Sequence, residues 1–145
     1  MSELIASLKV LLSNTYNMYY VAHSSHWNVE GKDFPQYHKF FEMIYNEVYG
    51  SIDDIAENIR KLDDYAPTKL SEIVGSISGT ESDVTGTSLL EMISTLTRAN
   101  DSVLESIVAA YELAESNDEI GLSNFLQDRE MAHKKHRWML KASSK

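Results

Sequence analysis

The stretch HKFFEMIYNEVYGSIDDIAENIR, residues 38–60, decides the fold because it carries two different faces of one long helix. At about 100° per residue, one stripe of this helix is wholly apolar and predicts a core face. The apolar stripe consists of Phe41, Ile44, Val48, Ile52, Ile55 and Ile59. A second stripe, roughly 120° away, is polar and aromatic. It consists of His38, Glu42, Tyr45, Tyr49, Asp53, Ala56 and Arg60. We expect the second stripe to face away from the chain's own core, towards a partner.

Five residues of the types that bind iron or similar divalent metals lie on or beside the second stripe. They are His26, His38, Glu42, Asp53 and Glu57. His38 and Glu42 are one helical turn apart, as are Asp53 and Glu57, but the two pairs are separated by roughly 22 Å along one helix. The two pairs of one chain are too far apart to bind the same metal ion. If a second copy of the helix runs antiparallel beside the first, one pair from each copy can bind the same ion. An isologous dimer would make two such sites. Taken singly, each residue is best interpreted as a solvated surface group.

Length and composition exclude several classes of protein. The 145 residues predict a single domain, 1–145, and contain no Cys, so disulfides and Cys-ligated zinc are excluded. No apolar run approaches the roughly 20 residues of a membrane span, and the N-terminus lacks a basic signal region. A cytoplasmic protein is therefore expected. The net charge of −9 opposes general binding to nucleic acid. Six of the thirteen basic residues lie from Arg129 onward, which favours a solvated basic helix end over a DNA-binding tail.

The apolar periodicity predicts an all-α protein with four long helices, at about residues 3–28, 33–62, 88–115 and 116–141. Asp33 with Gln36, Ser88 with Glu91, and Ser116 with Glu119 are read as capping boxes. Residues 63–87 form a long connection in which 69–77 could make a short helix. A connection of this length favours a crossover between parallel neighbours. Two hairpins joined by a crossover make a ferritin-like four-helix bundle. Gly50 inside the second helix either allows a close approach or is simply tolerated.

A di-iron centre inside the bundle is not expected. Such centres use Glu-x-x-His motifs on two helices, whereas this chain has one, at Glu130 and His133. We therefore place Glu130, His133 and His136 on the polar face of the last helix. Some acidic residues lie near the corner between the third and fourth long helices, among them Glu115, Asp118 and Asp128. They are candidates for lining a pore that attracts cations or, more simply, are surface charges.

The sequence resembles the Dps family, the DNA-binding proteins from starved cells, also called mini-ferritins. The most specific part is His26-Trp27-Asn28-Val29-x-Gly31, continuing through Phe34, His38, Phe41 and Asp53 to Ala56-Glu57. A second part is His136-x-Trp138-Met139-Leu140. The resemblance covers nearly the whole chain. It implies a hollow dodecamer with iron-oxidation sites between two-fold-related subunits.

By this resemblance, His26 and His38 are ligands from one subunit, and Asp53 and Glu57 are ligands from its neighbour. Glu42 stands where the family usually has Asp, and Asn58 where it commonly has Arg. Trp27 matches the aromatic residue beside the site, as a packing wall or an electron donor. The metal implied is iron, oxidised from Fe(II) to Fe(III) by hydrogen peroxide or dioxygen. Zinc or another divalent metal could occupy the same ligands.

Three classes of function follow from these observations. The first is a ferroxidase and iron store that protects against oxidative stress by consuming peroxide, with ferric mineral held in the cavity. The second is a nucleoid-associated DNA-binding protein with minor iron chemistry. The third is a helical oligomer without a competent metal site. The net charge and the absence of the family's lysine-rich N-terminal extension count against the second, so weak or absent DNA binding is expected. The five-residue set counts against the third.

Overall fold

Five α-helices make up the fold of the computed structural model, which describes residues 1–79 and 81–145. The helices are α1 (Ser2–Asn28), α2 (Phe34–Lys61), α3 (Leu70–Gly75), α4 (Leu89–Ser116) and α5 (Ile120–Ser143). The prediction of a ferritin-like all-α bundle with a short helix in its crossover is confirmed. None of the helices in the described ranges is long and apolar enough to cross a lipid bilayer.

The core is built from the apolar stripe that the sequence predicts on α2 and from the apolar faces of the other long helices. All six members of the apolar stripe of α2 are buried. The apolar residues of α1 that share one face of the helix are also buried, namely Leu4, Leu8, Leu11, Met18 and Ala22. Burial of each large apolar side chain contributes about 1.5–3 kcal/mol, so these stripes carry the association of the helices. The backbone of α1 packs against α2, α4 and α3, and α4 packs against α5.

The crossover differs in one respect from the expectation. The backbones of α2 and α4, which it joins, do not pack directly against each other in the described ranges, because α1 lies against both. The buried Asn14 of α1 holds the crossover in place. Its side-chain amide donates to Ser106 Oγ on α4 at 2.6 Å and to Ser78 Oγ at 3.0 Å, and its Oδ1 accepts from the Ser78 amide at 2.8 Å.

Helix ends lie close to the predicted boundaries except at the start of α5, which is Ile120 and not residue 116. Two of the three predicted caps are also wrong. Ser88 Oγ accepts a hydrogen bond from the Glu91 amide, as a capping residue should. Asp33 lies at the predicted N-terminal position of α2 without a side-chain cap bond. Ser116 belongs to the last turn of α4, where its hydroxyl donates to the Leu113 carbonyl, and α5 begins only at Ile120. The chain reverses between α4 and α5 through Asp118, whose φ is +57°, and this separates Ser116 from the next helix.

Gly50 needs no special explanation within the chain. A Cβ at this position would have no neighbouring atom within 4 Å. Gly31, by contrast, adopts a φ of +113° in the α1–α2 connection, a conformation that favours glycine. That turn brings the end of α1 beside the beginning of α2.

Candidate metal centre

The α1–α2 connection places two of the predicted metal ligands side by side. His26 lies in the last turn of α1 and His38 in the second turn of α2. Their rings stack with centroids 3.7 Å apart and planes inclined by 16°. Phe34 also stacks on His38, with ring centroids 4.9 Å apart, and Tyr45 packs edge-on against His26 at 5.2 Å. The twelve-residue step from His26 to His38 therefore corresponds to a direct contact across the turn.

Each of these histidines is oriented by the main chain of the other. His26 Nδ1 lies 2.7 Å from the His38 carbonyl oxygen, and His38 Nδ1 lies 2.7 Å from the His26 carbonyl oxygen. A carbonyl oxygen can only accept, so both Nδ1 atoms carry the proton. The lone pair of each neutral imidazole then resides on Nε2, the atom available to a metal. Such hydrogen bonds to the second nitrogen are typical of metal-binding histidines.

The three carboxylates lie on α2 and are exposed. Glu42 follows His38 by one turn, while Asp53 and Glu57 lie towards the other end of the helix. Within residues 1–79 and 81–145, no group of three or more His, Asp or Glu side chains converges as a metal site would require. The single chain thus brings together His26 and His38, and leaves Asp53 and Glu57 on the same exposed stripe but distant. That a second chain completes the site stays a prediction.

An aromatic cluster extends from the histidine pair along α1 and α2. His23 stacks on Tyr45 at 4.1 Å and contacts Trp27 at 4.2 Å, and its Nδ1 is 2.8 Å from the Tyr19 hydroxyl. Burial lowers the pKa of His23, with a smaller effect from His26. Burial also raises the pKa of Tyr19, with further increases from Tyr49 and Tyr45. Trp27 is about half exposed at 53 %, so it lies at the edge of this cluster and not in the core.

A second polar cluster lies inside the bundle, where the sequence interpretation did not place one. His133 and His136 are 1 % and 4 % exposed, so their placement on the polar face of the last helix is wrong. A signal for their burial was present in the sequence. The buried side of α5 is a stripe with alternating steps of four and three residues, which is the core face of a helix. It consists of Leu122, Leu126, Arg129, His133, His136 and Leu140. The polar identity of its three central members concealed it.

The interior cluster is a chain of hydrogen bonds that joins α2, α4 and α5. Arg129 donates to both oxygens of Glu47, with Nη1–Oε2 at 2.6 Å and Nη2–Oε1 at 3.0 Å. Arg129 Nη2 also lies 2.9 Å from His133 Nε2, which must accept because a guanidinium can only donate. His133 Nδ1 therefore donates to Asn100 Oδ1 at 2.8 Å. His136 Nε2 donates to Glu47 Oε1 at 2.7 Å.

The charges in this cluster are set by these contacts. Burial alone would raise the pKa of Glu47. The hydrogen bonds from His136 and Arg129, together with the charge of Arg129, outweigh burial and hold that pKa far below its usual value. Burial in first place, then Arg129 and His136, lower the pKa of His133 well below its usual value. At neutral pH the cluster therefore contains an ionised Glu47, a charged Arg129 and a neutral His133.

Comparisons with known proteins identify the family to which the fold belongs. The model of the ferritin-like domain family matches residues 5–144. General stress protein 20U of Bacillus subtilis is 31 % identical over 140 residues, covering 97 % of this chain and 96 % of that protein. The DNA protection during starvation protein of Brevibacillus brevis is 29 % identical and covers 90 % of this chain and 87 % of its own length.

Among solved structures, a Dps protein from Vibrio cholerae superposes with a TM-score of 0.89 at 27 % identity, covering 99 % of this chain and 90 % of that one. That protein is described as a member of a broad superfamily of ferritin-like diiron-carboxylate proteins. The fold and the matched domain define the class of this chain as a ferritin-like helical bundle. Within that class, the chain belongs to the Dps family. Membership supports a role in iron storage and protection in general terms.

Proposed function

We propose that this protein is a ferroxidase and iron store whose oxidation sites form between two chains. His26, His38 and Glu42 supply one half of each site, and Asp53 and Glu57 of a two-fold-related copy supply the other. The observation that carries this proposal is the pair of Nδ1–carbonyl hydrogen bonds, which leaves both Nε2 atoms free to bind metal. Imidazole and carboxylate ligands together suit Fe²⁺, and carboxylates favour Fe³⁺ further.

Hydrogen peroxide is the oxidant that we propose for this site, with dioxygen as the alternative. Two Fe²⁺ ions each give up one electron, and one peroxide molecule takes up both electrons and two protons to give two waters. Because peroxide is reduced by two electrons together, no hydroxyl radical is released. The chain's role is to hold the substrate ions side by side. The oriented imidazoles do this without rearrangement, since their tautomers are already set.

Assembly into a hollow dodecamer completes the proposal, with ferric mineral stored in the cavity and the protein acting in the cytoplasm. The separation of His38 from Glu57 along α2 makes a partner chain necessary for the site. Sedimentation velocity at micromolar concentration should therefore show a closed oligomer much larger than one chain. A stable monomer under these conditions would contradict the proposal. If zinc or another divalent metal binds these ligands, it should act as a competitive inhibitor of iron oxidation.

The decisive experiment is complementation in mixed oligomers. His38→Ala and Glu57→Ala should each abolish rapid Fe²⁺ oxidation when assembled alone. Dissociating and reassembling the two variants together should restore part of the activity, because some interfaces then join intact histidines to intact carboxylates. A mixture of His26→Ala with His38→Ala is the matched control. Both variants lack the same half, so no interface regains an intact site. Absence of recovery in verified mixtures of the first pair would argue against a shared site.

DNA binding is proposed to be weak or absent at physiological salt. The basic end of α5 is smaller than the sequence suggests, because Arg129 is buried against Glu47 and Arg137 pairs with Asp101 at 3.3 Å. The exposed remainder is Lys134, Lys135, Lys141 and Lys145. Repetition of this patch on an oligomer permits multivalent contact at low salt, which should disappear steeply as salt rises. Retardation of DNA that persists at about 0.15 M salt would overturn this.

A further inference from the structure

Tyr19 and His23 form a hydrogen-bonded pair on α1, close to the predicted metal ligand His26. The Tyr19 hydroxyl lies 2.8 Å from His23 Nδ1, because residues four apart share one side of a helix. In residues 1–79 and 81–145 it is the only tyrosine hydroxyl bonded to an imidazole. Burial, and then the neighbouring tyrosines, raise the pKa of Tyr19, so its hydroxyl keeps its proton at neutral pH. The pair therefore joins a protonated phenol to a base that can accept that proton.

Ring contacts connect this pair to His26. The Tyr45 ring packs edge-on against His26, with centroids 5.2 Å apart, and stacks on His23 with centroids 4.1 Å apart. Tyr45 also packs edge-on against Tyr19, with centroids 6.2 Å apart. Aromatic rings at these centroid distances are in direct contact. An electron can therefore pass from Tyr19 to an ion held by His26 with one ring between them.

We propose that the Tyr19–His23 pair is a redox couple that completes the reduction of peroxide when only one Fe²⁺ ion occupies a site. This inference rests on the proposed ferroxidase function. The Fe²⁺ ion supplies one electron and Tyr19 supplies the other, while the phenolic O–H bond breaks and its proton moves to His23 Nδ1. With two protons from solvent, the O–O bond of peroxide breaks and two waters form, leaving Fe³⁺, a tyrosyl radical and a protonated His23. A second Fe²⁺ ion then returns one electron to the radical, and His23 returns the proton.

The surroundings of the pair favour this coupled transfer of an electron and a proton. A phenol that lost only its electron would leave a positive charge in a partly buried site, which is costly. His23 lies within hydrogen-bond distance and removes that charge from the ring. Tyr19 is packed against the core, whereas Trp27 is 53 % exposed, so a radical on Tyr19 is better shielded from solvent. Without the pair, peroxide that received a single electron would split into hydroxide and a hydroxyl radical.

The test is a radical measurement at less than one Fe²⁺ ion per site. Assembled protein receives Fe²⁺ without dioxygen and then hydrogen peroxide, and is freeze-quenched for electron paramagnetic resonance. The parent should give a tyrosyl radical, whose signal narrows when the protein contains ring-deuterated tyrosine. Tyr19→Phe should lose this signal and release more hydroxyl radical, measured by spin trapping. This excess should shrink as iron rises to two ions per site, whereas a structurally damaged site would release hydroxyl radical at every loading.

Tyr16→Phe is the matched control, because the Tyr16 ring packs edge-on against Tyr19 at 6.3 Å but its hydroxyl has no imidazole partner in the described ranges. It should keep the radical signal. His23→Gln is the second variant and carries the test if Tyr19→Phe fails to assemble. The glutamine amide can accept a hydrogen bond but cannot take up the proton, so this variant should lose the signal.

The inference is overturned if Tyr19→Phe or His23→Gln keeps the radical signal of the parent. It is also overturned if the signal is insensitive to deuterated tyrosine and disappears in Trp27→Phe, which would place the radical on the indole. Rapid iron oxidation by the parent without any protein radical would overturn it and leave the ferroxidase proposal intact. A parent that does not oxidise iron at two ions per site would refute the ferroxidase proposal, and this inference with it.

Discussion

Two pairs of histidines occupy opposite environments in this protein. His26 and His38 lie at the α1–α2 connection, each with one nitrogen bonded to a main-chain carbonyl and the other left available. His133 and His136 lie inside the bundle, where His133 uses both nitrogens and His136 is bonded to a carboxylate. The residue type is the same, but the ring nitrogens differ: both nitrogens of His133 are bonded, and the Nδ1 of His136 is buried without a hydrogen-bond partner in the described ranges. A histidine with an unused Nε2 is suited to chemistry, whereas one whose nitrogens are both bonded contributes to folding.

The strongest test of this contrast is the effect of His38→Ala on iron oxidation. Loss of residues that only support a metal ligand costs 10–100-fold, so loss of the ligand itself should lower the initial rate of Fe²⁺ oxidation by at least about 100-fold. Stopped-flow absorbance of the ferric product measures this rate. The thermal stability should change little, because His38 is only partly buried. A rate close to that of the parent protein would show that the His26–His38 pair is not the site.

Glu47→Ala should show the opposite pattern, with a large loss of stability and an unchanged site at the α1–α2 connection. Removing one partner of a buried ion pair costs about 3–5 kcal/mol. Glu47 is partly exposed, and water can therefore solvate Arg129 in part, so we expect about 2–3 kcal/mol. Urea denaturation at one fixed protein concentration measures the change. Asp101→Ala is the control, since it breaks the exposed Arg137–Asp101 pair and should cost at most about 1 kcal/mol. If the two substitutions lowered the free energy of unfolding equally, the interior cluster would contribute no more to stability than an exposed ion pair.

The interior cluster also predicts that the folded protein loses stability in acid. The pKa of His133 is lowered in the folded protein by burial, then by Arg129 and His136, from a usual value of 6.5. Below that value the unfolded state binds more protons than the folded state, so stability falls as pH falls. Glu47 also lowers the stability of the folded protein as pH falls, but in a lower pH range than His133. Its folded pKa is depressed, so its contribution is present above the usual value of 4.5 and is lost as pH falls further.

Melting temperatures measured from about pH 8 to pH 5 should therefore decline for the parent protein, across the range in which a free histidine titrates. His133→Gln should start lower but decline less, because it removes the group that takes up the proton. An equal or steeper decline in the variant would assign the acid sensitivity to other groups.

His136→Gln should have the smallest effect. The amide can replace the Nε2–H donor to Glu47, so the loss of stability should be about 1 kcal/mol. The rate of Fe²⁺ oxidation should match that of the parent protein, which makes this variant the control for His38→Ala. A large loss of oxidation rate in a folded His136→Gln protein would mean that the interior pair takes part in the chemistry.

Much of the fold could be predicted from the sequence. The candidate site residues could be named from it as well, whereas the polar cluster inside the bundle could not, and the reasons differ by region. The stripe from Phe41 to Ile59 is apolar without exception, so its period alone indicated a buried helix face. The candidate site residues could be named from the sequence because His38 and three carboxylates lie on or beside one side of α2, and His26 at the end of α1 precedes His38 by twelve residues. Burial of His133 could not be recognised in the same way, since hydrophobic periodicity counts polar residues as surface. Its burial depends on Arg129, Asn100 and Glu47, which come from three helices and meet only in the folded chain. The prediction that Ser116 caps the last helix was wrong for a related reason. A capping pattern in the sequence does not show which of two adjoining helices the residue belongs to.

The reciprocal bonding of His26 and His38 has a consequence for how this site can vary. Each ring is held by a peptide oxygen of the other residue rather than by an acidic side chain. Every residue type supplies that oxygen, so no side-chain substitution can delete the support directly. A change at position 26 leaves the acceptor of the ring at position 38 intact, and the reverse is equally true. The hydrogen bond that orients either ring therefore depends on the path of the turn and not on the identity of its partner, whereas the stacking of the two rings at 3.7 Å needs both side chains.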